Sequence, residues 1–211
     1  MAVSSGKTSD IKNDPNAEVF DIELKRAGFV RGENLIVESY SAEGRPERHE
    51  ALAREVVSTQ PDVIVSFGTP LTLRFKAATS TIPIVALTGD PIRFGLLSSL
   101  AHPGGNIAGV SLDAGVEVWG KRLELLTELP ALYHLREQVE AGGLMAYSYD
   151  LKSALRRQAM QVAEVLRGAN PADMPYFQET RFELVINLKT AKELGLEIPA
   201  GLVAGAAAVI E

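Results

Sequence analysis

There is no cysteine anywhere in this 211-residue chain. That single absence removes a disulfide framework, a thiolate zinc site and a thiol nucleophile, and it leaves the compartment open. Histidine is nearly as scarce. His49, His102 and His134 stand far apart with no metal-ligand spacing, and each reads as a surface or helix-end residue, so no metal site is expected. No apolar run approaches the length of a membrane span, so direct membrane insertion is not expected. The first ten residues, M-A-V-S-S-G-K-T-S-D, lack a basic segment followed by an apolar one, so the chain shows no secretory signal. Positive charge is in deficit, with 21 Lys and Arg against 27 Asp and Glu for a net charge of −6. This argues against nucleic acid or an anionic membrane as the main partner, and the plain reading is that mild acidity aids solubility.

What remains is an ordinary globular composition, 46% hydrophobic and 23% charged. The first half alternates short β-branched runs with helical patterns. Helical spacing over 16–28 places Val19, Ile22 and Leu24 inward, with Gly28 as a stop. Leu35–Glu38 is a short strand candidate, Pro46–Thr59 a helix with Leu52, Val56 and Val57 inward, and Asp62–Phe67 a strand covered on both faces. A helix over 70–79, a strand over 82–88, a helix over 91–100 and a strand over 107–111 follow. Strand–helix alternation with short loops predicts an α/β fold with a doubly wound parallel sheet. Beyond it, helices are expected over Val116–Leu126, Leu132–Glu140 and Leu151–Leu166, the last with Arg156 and Arg157 on a polar face. Strands are expected at Leu144–Tyr147 and Phe182–Leu188, then helix 189–194 closed by Gly195 and a weak helix over 200–209.

Several tempting motifs fail. S-G-K-T at 5–8 resembles the end of a phosphate-binding loop, but position 1 is Met where a glycine is needed, and no strand is expected before it. Gly104-Gly105-Asn106 with Gly109 follows a helix and enters a strand, the reverse of the dinucleotide fingerprint. Ser111 in G-V-S-L-D lacks the second glycine of a nucleophile elbow. No paired carboxylates stand out. The sequence therefore offers no catalytic constellation and implies no cofactor.

One pattern is used twice. V-I-V-S-F-G-T-P at 63–70 and I-V-A-L-T-G-D-P at 84–91 both run from an apolar strand through Gly and a small polar residue to Pro. Thr69 and Asp90 suit an N-cap, Pro70 and Pro91 the first helical turn, and Gly68 and Gly89 a tight exit from the strand. The plain reading is two well-capped helices. The functional reading places both turns at the carboxyl ends of adjacent parallel strands, where open sheets bind ligands and helix N-termini favour anionic groups.

F-G-T-P, T-I-P-I-V-A-L-T-G-D-P and S-L-A-H-P-G-G-N-I-A-G-V-S resemble the first lobe of ABC-transporter substrate-binding proteins related to tryptophan and aromatic amino-acid binders. K-R-L-E-L-L, L-R-E-Q-V-E-A-G-G-L-M-A-Y and F-E-L-V-I-N-L-K-T-A-K-E-L-G-L resemble their second half. The resemblance implies a type 1 periplasmic-binding-protein fold, Rossmann-like lobes closing on a small ligand such as an amino acid or related carboxylate, no enzymatic activity, an ABC permease as partner and a periplasmic location. It divides the chain into a first lobe, 1–113, and a reduced second lobe with a C-terminal crossover segment, 114–211. By motif, Gly68, Thr69, Pro70 and Asp90 become ligand contacts from the first lobe, and Tyr133 and Tyr147 from the second. Each tyrosine reads equally as an amphipathic residue at a lobe surface, and Arg136 as one half of a surface ion pair.

Two departures accompany the resemblance. The family's exported N-terminus and first strand are missing or reduced to a few residues. K-R-L-E-L-L-T-E also runs directly into L-P-A-L-Y-H-L-R-E, so that a join near Glu128–Leu129 replaces a long stretch of the second lobe. Two other readings stay open: a small-molecule enzyme using the same sheet crevice, and a truncated remnant that no longer binds solute and self-associates through exposed edges.

Overall fold

Ile64-Val65-Ser66-Phe67 becomes a strand because the side chains on both of its faces find a helix layer on each side. In the computed structural model, Val63 and Val65 point to one layer with Phe20, Leu24, Ala159 and Val162, while Ile64 points to the other with Leu52, Val56, Leu71 and Phe75. The structure describes residues 2–5, 15–113, 118, 121–122, 125, 131–133 and 135–211.

The chain forms two compact units, Met1–Asp113 with Leu151–Glu179, and Ala114–Asp150 with Thr180–Glu211. The first unit contains β1 (Ala2–Ser5), α1 (Pro15–Arg26), β2 (Glu38–Ser41), α2 (His49–Ser58), β3 (Ile64–Phe67), α3 (Thr69–Ala78), β4 (Ile84–Thr88) and β5 (Ile107–Ser111). Its strands run parallel in the order β2-β1-β3-β4-β5-β7, where β7 is Phe177–Gln178. The register sets Ile64 beside Ile84 and Ile84 beside Ile107. The doubly wound parallel sheet expected from the alternation is present.

The sequence assigns 114–211 to a reduced second lobe with a C-terminal crossover segment; the structure returns Leu151–Glu179 to the first unit. The reason is α5 (Leu151–Leu166), whose buried stripe of Ala154, Leu155, Ala159, Val162 and Ala163 covers the sheet face formed by Val65, Val85, Ala108 and Val110. Within that contact Gln158 is fully buried, and its amide donates to Val85 O at 3.1 Å and Ser66 O at 3.4 Å. On the opposite side of α5, Arg157 lies 4.2 Å over the Phe177 ring and Arg156 reaches Glu23 at 3.9 Å.

The second unit holds α4 (Arg136–Glu140), β6 (Met145–Tyr149), β8 (Phe182–Asn187), α6 (Leu188–Glu193), α7 (Ala200–Gly205) and β9 (Ala208–Ile210). Its sheet has the order β6-β8-β9, with β6 antiparallel and β9 parallel to β8. Leu125, Leu144, Met145, Ile186 and Ala191 form its core. Asn187 links its elements: its side chain caps α6 through Thr190 N at 3.0 Å and donates to Val139 O at 3.2 Å.

Several expectations shift. A strand does precede S-G-K-T, since Ala2–Ser5 pairs between β2 and β3; Met1 still stands where a phosphate loop needs glycine. The strand expected at Leu35–Glu38 forms at Glu38–Ser41, because Leu35 is taken into a bridge with Arg31. In α1 it is Phe20, at 4% exposure, that joins Leu24 in the core, while Ile22 is 42% exposed. Residues 91–100 form turns instead of a helix: Gly95 at φ +70° breaks the first turn, and Leu96 N and Leu97 N both return to Pro91 O. The helix expected over 132–140 shortens to α4, because Tyr133 is drawn into a bridge with Ala146. The tail 200–209 divides into α7 and β9. The helix over 116–126 lies mostly outside the described residues, with 118, 121, 122 and 125 helical. His134 and the join at Glu128–Leu129 lie outside them altogether.

Candidate functional site

Both Gly-x-Pro turns lie at the carboxyl edge of the first unit's sheet, and a single peptide joins them. Gly68 leaves β3 at φ +96° and stands as the residue before α3, a backbone shape that glycine adopts without strain. Thr69 therefore opens the helix one residue earlier than an N-cap would, with Pro70 in the first turn. Its hydroxyl is not used for capping. Thr69 Oγ1 accepts from Gly89 N at 3.1 Å, and the residue is 8% exposed. An oxygen that accepts one hydrogen bond still carries its own proton to donate.

Asp90, half-buried, bonds the amides of the turn that stands where a helix was expected. Its Oδ1 accepts from Ile92 N and Arg93 N at 2.9 Å each. No described group takes its Oδ2 within hydrogen-bonding distance. Ile92 and Phe94 follow at 47% and 54% exposure, so apolar surface stands beside a carboxylate.

Below the turn sits a set of buried hydroxyls. Thr88 and Ser111 are register partners on the last rung between β4 and β5, and each is 1% exposed. Thr88 Oγ1 donates to Gly89 O at 3.0 Å and Ser111 Oγ to the same carbonyl at 3.1 Å. Tyr176, 3% exposed, places its hydroxyl 2.8 Å from Thr88 Oγ1 and 3.3 Å from Ala86 O. Burial raises the Tyr176 phenol above its ordinary range, so it remains a neutral hydroxyl. Sequence reasoning weighed Ser111 only as a nucleophile and passed over Thr88 and Tyr176. The available signal was a hydroxyl residue ending each of two successive strands.

In the second unit, Tyr133 is 38% exposed, and its N–H donates to Met145 O at 2.8 Å. Its ring lies over Gly143, where a Cβ would meet it at 2.7 Å. Tyr147 is partly buried and stacks on Phe182 with centroids 5.6 Å apart. Side chains alternate along a strand, so Tyr133, paired with Ala146, lies on the face of the second-unit sheet away from Tyr147. The two tyrosines are not brought together. Arg136 pairs with Glu140 at 2.8 Å and Glu183 at 3.4 Å, the surface ion pair expected.

Among the described residues, no group of three His, Asp or Glu side chains is placed to hold a metal, and no helix is long and apolar enough to cross a membrane. An open apolar groove of about 760 Å³ runs along the second unit between α6 and α7, lined by Leu188, Ala191, Leu196, Ile198 and Val203.

The sequence profile described as "ABC transporter substrate binding protein" matches residues 18–135 and 127–210. The chain belongs to this family. The two matched stretches meet at 127–135, the neighbourhood of the expected join. A tyrosine-binding protein of Clostridioides difficile is 33% identical over 108 residues, which is 50% of this chain and 30% of that protein. The matched stretch thus spans under a third of the length of that curated relative. Among solved structures, a conserved domain protein from Vibrio cholerae is 23% identical with a TM-score of 0.88, over 99% of this chain and 98% of that one. A domain from Streptococcus pneumonia in complex with L-Trp is 19% identical with a TM-score of 0.84, at the same coverage. A ligand-free, open substrate-binding protein with adhesive properties from Clostridium difficile is 19% identical with a TM-score of 0.76, again over 99% and 98%. These likenesses establish the fold, that of type 1 periplasmic binding proteins.

Proposed function

We propose that the chain binds a small amino acid with an apolar or aromatic side chain and presents it to an ABC permease on the outer side of a membrane, without chemical turnover. The observation that carries this reading is the hydrogen bond from Gly89 N to Thr69 Oγ1, which ties Thr69 to the turn that carries Asp90. Thr69 retains a proton suited to a ligand carboxylate, beside the N-terminus of α3. Asp90 Oδ2 suits a ligand ammonium, and the exposed Phe94 and Ile92 suit an apolar body. That one relative is named for tyrosine and another was solved with L-Trp supports the same class. Tyr133 and Tyr147 are proposed as second-unit contacts on sequence resemblance alone.

The test is a thermal-shift and calorimetry panel of L-tyrosine, L-tryptophan, L-phenylalanine, tyramine and 4-hydroxyphenylpropionate. We expect stabilisation by the amino acids and little by the two analogues that lack one charged group. Thr69→Ala should weaken binding about tenfold, the worth of one hydrogen bond to a charged group, and Asp90→Asn should remove the preference for an ammonium. No stabilisation by any member at millimolar concentration would falsify the binding role.

A further inference from the structure

Gly89 is held in an unusual way. Its N–H is taken by the Thr69 hydroxyl, and its carbonyl by the hydroxyls of Thr88 and Ser111. Three side chains from three segments of chain thus fix both ends of the residue that precedes Asp90. We infer that Ser111 and Tyr176 are positioning residues for the Gly89–Asp90 turn, and that Ser111 also couples this turn to the exit of the chain from the first unit.

The proton count gives the two residues different roles. Thr88 donates its proton to Gly89 O, so in its 2.8 Å contact with Tyr176 the phenol is the donor. Tyr176 therefore aims the Thr88 hydroxyl; the 3.3 Å contact with Ala86 O is the longer alternative for the same proton. Ser111 works on both sides of itself. Its Oγ donates to Gly89 O at 3.1 Å and accepts from Asp113 N at 3.3 Å. Asp113 is the last residue before the chain leaves the first unit. The Ser111 carbonyl holds Glu179 N at 2.8 Å, and Glu179 is the last residue before the chain leaves again. Ser111 thus stands between the turn and both exits. All three hydroxyl-bearing residues are at most 3% exposed, so water does not readily replace a deleted hydroxyl.

This inference rests on the proposed binding role only for its effect on affinity, so the experiment is read first without ligand. Amide hydrogen exchange is followed by NMR in the wild type, Ser111→Ala and Tyr176→Phe. Ser111→Ala should accelerate exchange at both Gly89 and Asp113 by about tenfold, while ladder amides such as Ile84 keep their protection. Tyr176→Phe should accelerate Gly89 and leave Asp113 unchanged. A purely structural role would instead lower protection throughout the sheet together with the melting temperature. With L-tyrosine or L-tryptophan added, both variants should bind several-fold more weakly than the wild type, since the turn must be ordered on binding. The inference is overturned if Gly89 exchange is unchanged in Ser111→Ala, or if all ladder amides accelerate alike. Should the wild type bind neither amino acid, the binding proposal fails while the two exchange patterns still decide the positioning roles.

Discussion

Gly109 sits in β5 opposite Ala86, and a methyl group there would lie 2.0 Å from the Ala86 carbonyl oxygen in the neighbouring strand. Relief requires β4 and β5 to part just below the hydroxyls that hold the Gly89 turn. Gly109→Ala should cost about 3 kcal/mol or more, read as a lowered urea midpoint in a two-state unfolding experiment; a midpoint within error of the wild type contradicts the close approach. At this scale the sequence was partly legible. Asp90 was recognisable in its role because Asp before Pro bonds its own following amides. Thr69 was not, since the partner of its hydroxyl lies twenty residues away and is reached only when β3 and β4 stand in register. The Tyr176 contact is still less local, bridging positions 88 residues apart.

Elements were legible where one physical cause dominated. The β-branched runs that became β3, β4 and β5 needed only burial on both faces, and α5 needed only its helical stripe, so all of these formed where expected. Segments with competing options moved. Residues 91–100 carry apolar helical spacing, but Gly95 and the double acceptance by Pro91 O close them into turns. In α5, Gln158 presents a different case: it is wholly buried, donates to two sheet carbonyls, and leaves its Oε1 without a partner. That orphaned oxygen opposes what the amide contributes. Gln158→Met, which keeps the volume, should therefore unfold within about 1 kcal/mol of the wild type. Gln158→Ala, which leaves a cavity, should cost about 2–3 kcal/mol. Equal losses for the two variants would show that the hydrogen bonds outweigh the packing.

At the scale of the whole molecule, the layering was legible in the strand–helix alternation and the ownership of its parts was not. Nothing in the local pattern of 151–179 says that it belongs with the first 113 residues; that follows only from the apolar sheet face awaiting a cover. A fragment ending at residue 113 leaves Val65, Val85 and Ala108 exposed on the face α5 covers. We expect this fragment to show helical circular dichroism without a cooperative unfolding transition, and a version with 151–179 attached through a flexible linker to regain one. A sigmoidal transition for 1–113 alone would show that α5 is dispensable.

The late return of α5 to the first sheet also imposes an order in time. During synthesis β1 to β5 leave the ribosome well before the helix that closes them, and at about 5–20 residues per second the intervening segment takes some seconds to appear. Throughout that interval a parallel sheet with one apolar face covered only by α1 is on offer to chaperones, to other nascent chains and to proteases. The risk of misassembly is therefore concentrated in the cell's handling of a half-made chain, before the Gly89 turn exists to bind anything.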